Sequence, residues 1–570
     1  MKSIYFKKIS IAWILLHGTV LFSQDVNQSN QPISDDTIVV SEDHIDVTQN
    51  DIDENAPPSE PISEETRLGL DDRIDQGFGP IASVWESIVF FQVPLSKKHS
   101  IPFVVILLAV GALFFTIVFK FPNVTKFKLA IDTVRGKYDN LKDKKSKDGE
   151  VSHFQALTTA VSGTVGLGNI AGVAVAIALG GPGATFWMIV CGLFGMSTKF
   201  VECTLGVKYR DVDHNGVVHG GPMYYLSRGL KEMGFGMGVV GKILAGLFAV
   251  FCVGGALGGG NMFQSNQATD QITTLLNLEG GASGFVTGLI FAFLVGIVII
   301  GGIKRIANFT SRIVPIMAGI YIVATLIILA VNIRYIDDAF VLIFNSAFTP
   351  MAGLGGFIGV LIVGFRRAAF SNEAGAGSAA IAHSAVKTKH PASEGIVALL
   401  EPFIDTVIIC TMTALVIIFF NFSDGNFQSQ FTYGNVESSG VVLNETGEQL
   451  GGVDLTSRAF DSVLPGFSYI LTIAVILFAF STMISWSYYG IQSWKYLFGR
   501  SQLSDLSFKI LFLFFVVVGA SITLDSVVRF ADAMILALVF PNMIGLFILF
   551  PRVRRELNSY LKAIVGSKFK

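Results

Sequence analysis

Residues 158–202, TTAVSGTVGLGNIAGVAVAIALGGPGATFWMIVCGLFGMSTKFVE, constrain this chain more than any other stretch. They are long and apolar enough to cross a bilayer twice, with the GGPG at 180–183 as the turn. Yet the first crossing is interrupted midway by Ser162, Gly163, Thr164, Gly166, Gly168 and Asn169. Hydrocarbon offers a freed backbone group no partner, so a weakened helix at that depth lines a cavity or holds something.

Composition agrees that most of the chain lies in lipid. Of 570 residues 51% are hydrophobic and 15% charged, with a mean hydropathy of +0.59; soluble domains carry roughly 25% charged residues. Cys191, Cys203, Cys252 and Cys410 all fall in apolar spans without metal-ligand spacing and read as small core residues. No basic arm interleaved with aromatics suggests nucleic acid.

Residues 1–23 carry Lys2, Lys7 and Lys8 before a short apolar run, the pattern of a signal peptide. Residues 24–78 are expected to be an acidic, disordered extracytoplasmic segment: 24–66 hold twelve acidic residues and no Lys or Arg. The stretch 79–150 is expected to hold an interfacial helix (79–95), an extra first membrane helix and a basic loop. Eleven apolar spans of ~20 residues are expected near 101–120, 154–178, 183–205, 240–263, 284–302, 312–332, 354–385, 394–420, 466–490, 506–523 and 528–550. Lys and Arg recur in alternate loops, from Lys126–Lys147 through Lys199, Lys208, Arg210, Lys304, Lys387 and Arg500 to the 551–570 tail. The positive-inside rule then puts the N-terminus outside and the C-terminus in the cytoplasm. Residues 421–464, with hairpin-like alternation around 427–433 and 440–443, read as an extracytoplasmic insertion; a lid over the substrate is the weaker reading.

The second polar span is GVLIVGFRRAAFSNEAGAGSAAIAHSA, residues 359–385. It places Arg366, Arg367, Ser371, Asn372 and Glu373 at membrane depth, where an ionised residue costs on the order of 3 kcal/mol. Arg366 or Arg367 pairing with Glu373 would neutralise the charge, but would not explain the loosening by Gly375 and Gly377. Without the extra first span, the two interrupted spans are the first and sixth of ten. Broken segments in corresponding places of two halves are the sequence mark of an inverted-repeat transporter, here with repeats 151–335 and 336–550. Half-helix N-termini suit a carboxylate, and unwound carbonyls suit a hard cation such as Na⁺.

GTVGLGNIAGVA, GGPGATFWM, TKFVE, GGPMYYL, SNEAGAGSAAIAHSA and FSTMISWSYYG, occurring in that order, resemble the alanine or glycine:cation symporter family from about Pro94 to Phe550. The resemblance implies an all-α membrane protein of eleven helices. Ten of them form the inverted five-plus-five fold of sodium-coupled amino-acid transporters, with helices one and six broken. It also implies that the backbone at Leu167, Gly168 and Asn169 receives the substrate carboxylate. Phe370 closes over the substrate with Asn372 nearby, Gln264 at the outer end of the third core helix helps hold the amino acid, and Trp486 bounds the pocket. Ser481 and Thr482 supply hydroxyls to a coupling Na⁺ that carbonyls of Ser162 and Val165 complete.

Other polar residues have plainer readings. Glu401 and Asp405, four apart around Pro402, share a helix face and invite a proton or cation site. Lys199 and Glu202 read as an interfacial ion pair and His383 as a polar cap. His214 and His219 lack a third ligand at metal spacing. The expected function is Na⁺-coupled import of alanine or glycine through a bacterial inner membrane, with proton coupling or another small solute as the alternative. Na⁺ is the coupling ion, with no organic cofactor and no fixed oligomeric state. A channel would need pore-lining rings, and an enzyme a nucleophile–base pair or metal cluster; neither pattern is visible.

Overall fold

The computed structural model describes residues 69–568, except 95–99, 139–148, 350–355, 423–424, 435–438 and positions 215, 279 and 301. The expected signal peptide, most of the acidic segment and part of the basic loop lie outside the described residues. An amphipathic helix, α1 (Leu70–Val89), comes first, followed by α2 (Phe103–Val118). It begins inside the stretch expected to be disordered. Asp71 and Asp72 sit in its first turn, where the helix dipole favours acid. The Asp71 carboxylate also accepts the amides of Gly284 and Phe285 at 3.1 and 3.2 Å.

The first interrupted span is α3 (His153–Thr164) and α4 (Ala171–Gly180), bent by 57°. After it come α5 (Gly183–Lys208), α6 (Phe235–Leu276), α7 (Ser283–Ile299), α8 (Gly302–Val331) and α9 (Ile336–Phe348). The second interrupted span is α10 (Phe357–Asn372) and the short α11 (Ala380–His383). The rest is α12 (Pro391–Phe420), α13 (Gly452–Asp461), α14 (Phe467–Phe498), α15 (Gln502–Ser521) and α16 (Leu524–Gly566). Each expected span falls on a helix or a broken helix. Seven described helices are long and apolar enough to cross a membrane, eight counting the bent pair as one; α2 and α7 are shorter apolar helices. The two breaks fall in the spans that begin at His153 and at Phe357.

Residues 421–464 differ in detail from the expected hairpins. Residues 440–442 pair with 449–451, whereas Phe431 makes only an isolated bridge to Leu443. The same segment forms α13, which packs on α4, α6, α12 and α14.

The buried charges find different partners from those expected. Lys199 is no interfacial residue: it is fully buried and donates to Glu401 at 3.0 Å, so it does not count among the loop cations. His383 is no cap. Its Nε2 lies 3.3 Å from Glu401 and its Nδ1 2.6 Å from Glu394, which also bonds His153. This chain of acidic and basic side chains ties α3, α5, α11 and α12 together. Glu202 accepts the Gly375 amide at 2.9 Å and the Asn542 amide at 2.8 Å. Arg366 and Arg367 pair with Asp532 on α16 rather than with Glu373. Glu373 instead accepts from Ser378 and takes a left-handed φ of 56° at the end of α10. Lys199→Met leaves Glu401 buried without its cation, a change that costs about 3–5 kcal/mol. A clear fall in Tm of the detergent-purified protein, greater than for Lys208→Met at the half-exposed Lys208–Glu556 pair, is the expected result.

Candidate functional site

The first break arises where glycines replace helix formers. Ser152 caps the start of α3, its hydroxyl accepting from the Gln155 amide at 3.2 Å. The last regular bond, Val165 N to Val161 O at 2.7 Å, ends the helix just before Gly166. Leu167–Asn169 then make one tight turn before α4 begins. Side chains satisfy the backbone groups so released. Gln264 Oε1 accepts from the Leu167 amide and Asn169 Oδ1 from the Gly166 amide, both at 3.0 Å. Thr413 donates to the Asn169 carbonyl at 2.8 Å, and Thr456 of α13 to the Ile170 carbonyl at 3.3 Å.

On the other flank α14 lies against the break. Thr482 Oγ1 donates to the Ser162 carbonyl and Ser162 Oγ to the Ser481 carbonyl, both at 2.9 Å. Trp486 Nε1 donates to the Gly163 carbonyl at 3.2 Å. This approach demands glycine. A Cβ on Gly166 would stand 2.3 Å from Thr482 Oγ1, and one on Gly260 2.1 Å from Trp486 Cγ.

The second break follows Asn372, with Gly375 and Gly377 at φ of 95° and 83°. Phe370, on the last turn of α10, stands over the first break: a Cβ on Gly168 would touch its ring at 3.5 Å, an ordinary contact. The ring meets Phe263 edge-on at 5.0 Å, with the Arg367 guanidinium 5.2 Å from its centroid. Asn372 Nδ2 donates to Thr406 at 2.8 Å and its Oδ1 accepts from the Ala374 amide at 2.9 Å.

Asp405 joins the two breaks. Residues 403–410 of α12 form wider π-type turns, and Asp405 lies fully buried among them. Its Oδ1 accepts from Asn169 at 2.6 Å; its Oδ2 accepts from Ser371 at 2.8 Å and Thr406 at 2.7 Å.

The structure therefore gathers most of the expected residues. Leu167, Gly168, Asn169, Gln264, Phe370 and Trp486 meet around the first break, and Ser162 meets Thr482. Gln264 lies within α6 rather than at its outer end, because that helix runs on to Leu276. Trp486 is 1% exposed, deep in the core. Asn372 faces α12, one residue removed from the ring that covers Gly168. Val165 is buried at the end of α3. Ser481 faces the break through its carbonyl; its hydroxyl turns back to the Phe478 carbonyl at 3.0 Å. The bridging place of Asp405 and the capping by Thr413 and Thr456 emerge only in three dimensions. A threonine in an apolar helix carries no local signal of such a role. No group of three or more His, Cys, Asp or Glu among the described residues has metal-site geometry.

The family model for the sodium:alanine symporter family matches residues 88–568. The chain is 40% identical over 460 residues to the sodium/alanine symporter AgcS of Methanococcus maripaludis, covering 80% of this chain and 94% of that one. It is 35% identical to a putative sodium/proton-dependent alanine carrier protein, YrbD, of Bacillus subtilis (81% and 90% covered). It is 34% identical to a probable sodium/glutamine symporter, GlnT, of the same organism (80% and 87% covered).

The contact between Gly166 and Thr482 makes a paired test. Gly166→Ala should lower Tm, because overpacking a tight site costs on the order of 1–3 kcal/mol. Gly166→Ala combined with Thr482→Ala should recover part of that loss, as the 2.3 Å contact disappears. Additive losses in thermal unfolding would contradict the geometry.

Proposed function

The chain belongs to the sodium:alanine symporter family, and from that membership we propose that it imports alanine or glycine by Na⁺ symport with alternating access. The observation that carries this reading is the meeting of two helix breaks in the buried core, with Phe370 over Gly168 and the Ser162–Thr482 oxygen pair alongside. In this reading the amides at Leu167–Asn169 receive the substrate carboxylate, an anion at the start of a half-helix. Gln264, now the acceptor of the Leu167 amide, yields to the substrate or helps hold it. Phe370 and Trp486 bound the side-chain space, with Asn372 behind Phe370. The contact between the Phe370 ring and the Gly168 position leaves room for a small side chain rather than a large one.

Na⁺ is cargo that sits between α3 and α14, held by carbonyls of Ser162 and Val165 and by Thr482 Oγ1, with Ser481 contributing alongside. Oxygen ligands suit this hard cation. Its place matters because α3, α5, α11 and α12 are tied to one another through His153, Glu394, His383, Glu401 and Lys199. The bonds from α3 to α14 and from Leu167 to α6 are a few neutral ones. An ion at that seam links substrate loading to the rocking of one helix group against the other.

A zwitterion adds no net charge, so each turnover with one Na⁺ moves one positive charge inward. At about 100 mV this contributes about 2.3 kcal/mol, and a tenfold Na⁺ gradient about 1.4 kcal/mol more. Together they support accumulation of roughly several-hundred-fold. The proposed setting is a bacterial inner membrane, N-terminus outside and C-terminus in the cytoplasm. Arg210, Arg228, Lys231 and the basic residues of α16 beyond Phe550 support that orientation.

Labelled alanine should enter proteoliposomes under an imposed Na⁺ gradient and fail to enter when choline replaces Na⁺. Gly168→Ala should retain uptake, since its Cβ makes only ordinary contacts, whereas Gly168→Leu should abolish it in a folded protein. Thr482→Ala should raise the half-saturating Na⁺ concentration by about tenfold or more, the equivalent of about 1.4 kcal/mol. Undiminished uptake by Gly168→Leu, or uptake that survives choline, would overturn the reading.

A further inference from the structure

Asp405 is a carboxyl wholly enclosed at the junction of both breaks, and neither the substrate site nor the Na⁺ site uses it. Its oxygens accept from Asn169, Ser371 and Thr406, all neutral donors. Among the described residues no ion pair reaches it. The charged groups on the elements around it are engaged elsewhere. On α5, Lys199 pairs with Glu401, and Glu202 accepts from Gly375 and Asn542. On α10, Arg366 and Arg367 pair with Asp532, and Glu373 accepts from Ser378. On its own helix Glu401 faces Lys199 and His383, and the Cys410 thiol lies 3.3 Å from the same Asn169 nitrogen. An uncompensated carboxylate in such a place carries a desolvation cost that neutral hydrogen bonds offset only in part.

We propose that Asp405 is a proton-binding site which loads when the Na⁺ site is empty and releases when it fills. Asn169 makes the connection. Its Oδ1 holds the Gly166 amide inside the break, while its Nδ2 holds Asp405 Oδ1. A cation arriving beside Gly166 enters the same low-dielectric enclosure. It stabilises the Asp405 carboxylate and weakens the hold on its proton, which leaves to water admitted past Ser371 and Asn169 when the site opens. A proton rather than a second Na⁺ is assigned because the carboxyl oxygens already accept from three donors, and Na⁺ would need those lone pairs turned toward it. By linkage, a proton that weakens Na⁺ binding is itself displaced by Na⁺ to the same degree.

The inference rests on the proposed Na⁺ site, but its test needs no substrate or transport. The Na⁺-induced rise in Tm of the purified full-length protein reports Na⁺ binding directly. Titrated with Na⁺ at pH 5.5 to 8.5, the wild type should show a half-effective Na⁺ concentration that rises as pH falls, by up to about tenfold per unit at the limit of one-for-one competition. Asp405→Asn should keep the Na⁺ response and lose its pH dependence. Ser371→Ala removes one donor to the carboxylate, so the same dependence should appear at higher pH; this decides the matter if Asp405→Asn does not fold. A Na⁺ response unchanged by pH in the wild type, a pH dependence retained in Asp405→Asn, or one unmoved in Ser371→Ala would each overturn the proposal. Complete loss of the Na⁺ response in folded Asp405→Asn would also overturn it, making the carboxylate a Na⁺ ligand. A wild type that shows the pH-linked response but takes up no alanine would count against the substrate reading alone.

Discussion

A backbone amide or carbonyl left unpaired in hydrocarbon costs several kcal/mol, and the rest of this molecule is arranged around that penalty. The chain interrupts two helices and then answers the freed groups one by one with buried side chains. Gln264 serves Leu167, Asn169 serves Gly166, Thr413 serves Asn169, and Thr456 serves Ile170. At the second break Glu202 takes the Gly375 amide and Asn542 donates to the Gly375 carbonyl at 2.8 Å. A loop at this depth survives because helices on every side bring polar caps to it. The high glycine content reflects the same need: caps reach the backbone only where no side chain stands in the way, as at Gly166 beneath Thr482.

The polar interior divides into two kinds of bonding. Within the group that carries both breaks, acidic and basic side chains form a continuous hydrogen-bonded chain, from His153 through Glu394, His383 and Glu401 to Lys199. Such pairs lose heavily if either partner leaves, so they hold α3, α5, α11 and α12 as one unit. Across the seam, the bonds from the first break to α6 and α14 are neutral, each worth about 1 kcal/mol net. The first break, bonded to α6 and α14 by neutral contacts, has its soft coordinate at that seam, where the candidate cation site lies.

The breaks are legible in the sequence, because glycine, serine and asparagine clustered within an apolar run weaken a helix that lipid would otherwise enforce. Partner choice is not legible. Lys199 lies 202 positions from Glu401 and Arg367 lies 165 from Asp532, so proximity along the chain favours the wrong partners, Glu202 and Glu373. The bridging role of Asp405 is hidden for the same reason: Asn169 lies 236 positions away and Ser371 lies 34. The length of α6 is underestimated from sequence because its last turns, from Gln264 to Thr274, are polar. Gln264 to Thr269 and Gln271 are nonetheless buried, and the helix packs on α13 and α14. A hydropathy window therefore ends the span too early.

Gln264 shows how the proposed site would bind without trapping. Its Oε1 occupies the acceptor position at the Leu167 amide that a substrate carboxylate oxygen would need in the proposed mechanism. Binding there exchanges one acceptor for another, and the gain is the difference between a charged and a neutral oxygen at the start of a half-helix. Hydrogen bonds to charged groups exceed neutral ones by about 1 kcal/mol, a small margin that later release can reverse. A bare amide would gain far more from the substrate and would hold it too firmly to let it go. In the proposed mechanism the cap that makes the break tolerable in lipid would also set a ceiling on affinity, so that stability and turnover would draw on the same hydrogen bond.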